Sequence, residues 1–142
     1  MLKKTILVLM AALGLTMSVK AIMTVHTLAE ALSQGYKPLP DPNWLYYLAT
    51  DIPVGDGTWN HTIQFVNPTP KFASLDVKAF RPDKTKEGYI HLSVDLLQAK
   101  GDKVYIGSVS FTDDHPSSNW DAKLDWTRAT LLQNEFHEKA TQ

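Results

Sequence analysis

Residues 89–96, YIHLSVDL, alternate without a break. Ile90, Leu92, Val94 and Leu96 fall on one side, and Tyr89, His91, Ser93 and Asp95 on the other. A period of two is the signature of an extended chain with one face buried and one wetted, as in an antiparallel sheet. KGDK, Lys100 to Lys103, then reads as a hairpin turn, and VYIGSVSF returns as a second strand. Any fold for this chain has to accommodate these β segments.

The same pattern recurs upstream. In TWNHTIQFV, Thr58 to Val66, Trp59, His61, Ile63 and Phe65 alternate with polar residues. Leu75, Val77 and Ala79 share a face in SLDVKAF, and RPDKTKEG after it is a polar turn. Val54 to Gly57, VGDG, is a turn built on glycine and aspartate. DPNWLYYLATD, Asp41 to Asp51, is less clear-cut. Asp41-Pro42 is a good helix start. Trp44, Tyr46 and Tyr47 favour a strand, which is the preferred reading of 42–50. Trp44, Tyr46 and Leu48 would then share one face, and Ile52-Pro53 would end the element.

Helical spacing is confined to the two ends. Val25, Leu28, Ala29 and Leu32 form one apolar stripe, with Thr24 as cap and Gly35 at the C-terminal end. YKPLPDP follows as an extended connector, unable to enter the middle of a sheet. After the loop DDHPSSN, Trp120 to Lys139 loses alternation and reads as one long helix with Leu124, Leu131, Leu132 and Phe136 on its apolar side. The expected architecture is α+β: a four- to five-stranded antiparallel sheet with a short N-terminal helix and a longer C-terminal helix packed on one face.

The first 21 residues read as a cleaved secretory signal peptide. Lys3 and Lys4 precede an apolar run from Ile6 to Val19, and Val19-Lys20-Ala21 fits a cleavage site. The run falls short of the roughly 18 residues of a membrane span. The expectation is therefore a single exported domain, 22–142, periplasmic or secreted, of bacterial style, with no membrane span in its mature form. The chain of 142 residues has no cysteine, which rules out disulfides, thiol nucleophiles and Cys-ligated metal. Lys3, Lys4 and Lys20 leave with the leader, so 11 of the 14 basic residues face 15 acidic ones, a net charge of −4 with neutral histidines. That charge argues against nucleic acid as a partner.

No nucleophile elbow, phosphate loop or HExxH spacing is present. Asp113-Asp114-His115 is the best local cluster: two carboxylates and an imidazole, the donor types for a metal or an acid–base pair. His91 is a further candidate if the fold brings it near. The aromatic residues Trp44, Tyr46 and Trp59 are the binding candidates, since rings flanked by proline or a glycine turn can meet a partner. The leading expectation is a non-catalytic, cofactor-free binding protein that recognises a protein or envelope polymer through this aromatic patch or a sheet edge. Homo-oligomerisation is compatible with it. The alternatives are a small envelope hydrolase or metal-dependent enzyme using Asp114, His115 and His91, and an accessory subunit of an envelope assembly.

Overall fold

The computed structural model describes residues 25–80 and 89–141. The proposed signal peptide and the polar turn at 81–88 lie outside them. In chain order the elements are α1 (Leu28–Ser33), β1 (Lys37–Pro38), β2 (Tyr46–Gly55), β3 (Thr58–Asn67), β4 (Ala73–Phe80), β5 (Ile90–Leu96), β6 (Tyr105–Asp113), β7 (Asn119–Leu124) and α2 (Trp126–Thr141).

The strands form two antiparallel sheets rather than the single sheet expected. The first has the order β1-β2-β3-β6 and the second β5-β4-β7. They face each other. Leu45, Ile63, Phe65 and Val109 from the side of the first sheet meet Leu75, Val77, Leu96 and Leu124 of the second in one core. Trp120 of β7 reaches across, its ring 5.0 Å from Tyr47 and 6.2 Å from Phe65, both edge-on. Such edge-to-face pairs contribute beyond the area they bury.

The two helices lie on different sheets, not on one common face. α1 covers the outer side of the first sheet, where Val25, Ala31 and Tyr36 pack with Val66, Tyr46, Leu48 and Ile106. Its start is Thr27 rather than Thr24. Thr27 and Glu30 form a reciprocal capping box, and the backbone N–H groups of His26 and Thr27 hold the Glu30 carboxyl below its ordinary pKa. Gly35, at φ 96°, closes the helix as expected, because a left-handed residue there suits glycine. α2 starts against the outer side of the second sheet. Asp125 accepts the Arg128 N–H, Arg128 reaches Asp95 and Ser93, and Ala129 is buried.

Three local expectations are overturned. β5 and β6 are not a hairpin: β5 pairs with β4, and β6 with β3. Residues 97–104 instead carry the chain from one sheet to the other, and Lys100 to Lys103 is a tight turn within that crossing. Gly107 allows the close approach, since a Cβ there would stand 2.6 Å from Leu96 Cδ2. Residues 119–124 are a strand, not the first turns of a helix. Trp120, Ala122 and Leu124 alternate inward and pair with β4, and helix begins only at Trp126. Finally, residues 46–50 are strand and not helix, as preferred, but the bounds differ: β2 starts at Tyr46, leaving Trp44 in the preceding turn, and it runs through Pro53 to Gly55.

Candidate functional site

The β2–β3 turn has Asp56 at φ 54° and Gly57 at φ 72°. Positive φ at both central residues matches the twist of a tight hairpin. The register then slips by one residue, because Gly55 pairs with Thr58 but Pro53 with Trp59. Val54 is the extra residue, exposed on a bulge. The slip sets Asp51 directly opposite His61. On the other side of β3, His61 faces Phe111, and Asp113 lies opposite Trp59. Directly opposed residues share a face, so Asp51, His61 and Asp113 converge on the inner face of the first sheet, at its β2–β3 turn end.

The His61 imidazole is held at both nitrogens. Nδ1 lies 2.6 Å from Asp51 Oδ1, and Nε2 lies 2.7 Å from Asp113 Oδ1. The ring is 1% exposed and stands 4.9 Å from the Phe111 ring. Asp113 is mostly covered and also accepts the His115 backbone N–H at 3.0 Å, whereas Asp51 is 38% exposed. Both carboxylates are satisfied together only when the ring carries both protons, because a neutral imidazole has one N–H.

Electrostatics agree with the geometry. Burial opposes charging of the His61 ring, but the hydrogen bonds and charges of Asp51 and Asp113 outweigh it, and the His61 pKa is raised. Burial likewise opposes ionisation of Asp113, yet the His115 N–H and the His61 ring together hold its pKa below the ordinary value. The result is an imidazolium between two carboxylates that clamps β2, β3 and β6. With both nitrogens occupied, the ring has none left for a substrate unless the more exposed Asp51 moves away.

The residues singled out from sequence are dispersed. Asp113 belongs to the clamp. Asp114 is exposed and lies 3.3 Å from His115 Nε2. His91 sits on the outer side of β5 in the second sheet, 3.3 Å from Asp76, so it does not join the Asp114–His115 pair. Among the described residues no group of three or more histidines, cysteines or acids is placed to hold a metal ion. Of the aromatic candidates, Trp44 packs against the main core with Lys71 Nζ 5.4 Å above its ring. Tyr46 packs under α1, and Trp59 is half-buried on the inner face beside the clamp. The three therefore form no common patch.

Two residues of the clamp, Asp51 and His61, are absent from the sequence-derived candidates. The only sequence cue was a polar, ionisable residue at an inward position of an otherwise apolar strand face.

No protein-family profile, curated protein or solved structure matches the chain. Among the described residues no helix is long and apolar enough to cross a membrane.

Proposed function

We propose that the protein is a small exported, non-catalytic binding protein that recognises a protein partner by accepting its strand at the open edge of β2. The observation that carries this reading is the incompleteness of the first sheet. β1 covers only Tyr46 and Tyr47, so beyond them β2 is an edge. The Leu39 N–H to Leu45 C=O bond sets the phase of this edge. In an antiparallel ladder, residues alternate in the side to which they turn their backbone groups. Odd-numbered residues of β2 therefore face outward, and Ala49 and Asp51 offer N–H and C=O groups to a partner strand. Pro53 is also odd-numbered, so its missing donor falls on the open side, where an edge tolerates proline. Pro53 and the bulge at Val54 limit pairing to a short stretch, which disfavours indiscriminate aggregation.

The test is native mass spectrometry of the protein taken gently from the cell envelope, in the original form and as Ala49→Pro. Proline at 49 removes an outward donor and leaves the β3 ladder intact. The expected result is a protein-sized mass increment that Ala49→Pro abolishes. A bare polypeptide mass in both forms overturns the edge reading. A metal-sized increment lost in Asp114→Ala/His115→Ala would instead favour the enzyme alternative.

A further inference from the structure

The end of the sandwich opposite the clamp carries a pocket of about 260 Å³, where β3 and β5 finish and β6 begins. Its lining is unequal in character. Phe72, Leu97, Val104 and Tyr105 make apolar walls, and Lys100 and Lys103 are the charged members. We propose that this pocket binds a small amphiphilic carboxylate, with an aromatic ring or short alkyl chain against the walls and its carboxylate between the two lysines. The inference is independent of the β2 edge, since no residue of that edge lines the pocket.

Three observations converge on it. First, the walls are fixed in advance by one buried side chain. The Asn67 amide donates to Lys71 O at 2.7 Å and to Leu97 O at 2.9 Å, and its oxygen accepts from Thr69 N and Thr69 Oγ1. All of its strong hydrogen-bonding capacity is used, and it ties the loop leading to Phe72 to the loop leading away from β5. The Ala99 N–H to Thr69 O bond, 2.8 Å, adds a second tie between the same loops. A pocket with walls held this way loses little freedom on binding.

Second, the lysines are available. They close a tight turn with reciprocal backbone bonds of 3.0 Å, Gly101 supplying a φ of 63°, so both side chains spring from one short, fixed segment. Among the described residues neither has an ion-pair partner. Lys71 and Lys78, by contrast, each lie over an aromatic ring. Asp102 lies between the two in the same turn without pairing with either, so the site accepts a single negative charge better than a multiply charged anion.

Third, the size selects a small ligand. The space equals roughly nine liquid waters, and it lies below the roughly 300–1,000 Å³ of drug-sized sites. One ring or a short chain is enough to fill it.

The experiment is a two-dimensional ¹H–¹⁵N titration of the mature protein with 3-phenylpropanoate, and in parallel with neutral 3-phenylpropanamide. The expected result is saturable shifts centred on Phe72, Leu97, Val104 and Tyr105, with a Kd of about 1 mM or tighter for the acid. The amide binds at least about fivefold more weakly, as loss of a charge-assisted contact requires. Lys100→Gln/Lys103→Gln, on two exposed side chains, removes that preference while leaving the amide's affinity unchanged. Absence of saturable shifts at these four residues, or equal affinity for acid and amide, overturns the proposal.

Discussion

Asp113→Asn separates an imidazolium clamp from an ordinary polar contact, because its effect changes with pH. At pH 5.5 the His61 ring is charged, and the substitution turns a carboxylate acceptor, 2.7 Å away and 16% exposed, into a neutral one. Hydrogen bonds to charged groups contribute about 1.5–3 kcal/mol net. The amide oxygen still accepts one donor, so the expected loss is about 1.5–2 kcal/mol, near the low end of that range. For a domain of this size that is a fall in Tm of about 5 °C or slightly more. Above the folded His61 pKa the original protein has the weaker clamp, since a neutral ring turns a lone pair toward one carboxylate. An asparagine there can donate to that lone pair, so the penalty falls to near zero or reverses. The assay is urea unfolding followed by tryptophan fluorescence at pH 5.5 and above the His61 midpoint, which an NMR titration of the imidazole locates. The same penalty below and above that midpoint would refute the imidazolium assignment.

The signs of the two pKa shifts define a window for the unsubstituted protein. The raised His61 pKa contributes stability that is complete below about pH 6.5 and is lost as pH rises through the folded value. The lowered Asp113 pKa contributes stability that is present above about pH 3.9 and is lost as pH falls through the folded value. The clamp's contribution is therefore greatest between about pH 4 and 6.5, and His61→Gln should flatten the stability profile across that range. Asp51→Asn should cost less than Asp113→Asn, about 1 kcal/mol or below, because solvent screens the more exposed partner; unfolding of the two variants at pH 5.5 checks the order. Asn67→Ala removes four hydrogen bonds around a fully buried amide and should cost about 2–4 kcal/mol, measured in the same way, with increased hydrogen exchange at Ala99. Gly107→Ala should destabilise by about 1–3 kcal/mol, since Leu96, which it would crowd, is fully buried and has little room to yield. Asp125→Ala should shed about 1 kcal/mol through loss of the α2 cap, seen as reduced helical signal on mild heating.

Local chemistry was legible in the chain. The alternation of 58–66, 74–80 and 89–96 placed strands where they are found, and it gave the inward side of each. VGDG marked the turn between β2 and β3, Gly35 marked the end of α1, and the prolines of YKPLPDP confined that segment to a sheet edge. These are properties of a residue and its immediate neighbours: allowed φ, a missing donor, a period of two. The partners of each strand were not legible. Alternation states which side is buried, not which strand lies alongside, so β5 and β6 read as a hairpin although each pairs elsewhere. Trp120 to Leu124 fits both a helix and a strand when taken alone, and pairing with β4 decides the matter.

The clamp depended on tertiary structure most of all. A tight two-residue turn at Asp56-Gly57, continued without a slip, would set Asp51 opposite Thr62. The bulge at Val54 moves the register by one residue and sets Asp51 opposite His61 instead. One residue of slip exchanges the faces of a strand, so the same sequence without the bulge would turn Asp51 away from the interior. Asp113 arrives from 52 residues further along, through the β3–β6 pairing. The sequence by itself determined that a histidine would occupy an inward position on β3. Only the packed sheet decided that two carboxylates would meet it there, because a buried imidazolium needs its counter-charges within hydrogen-bond reach, and that reach is set by register and not by spacing along the chain.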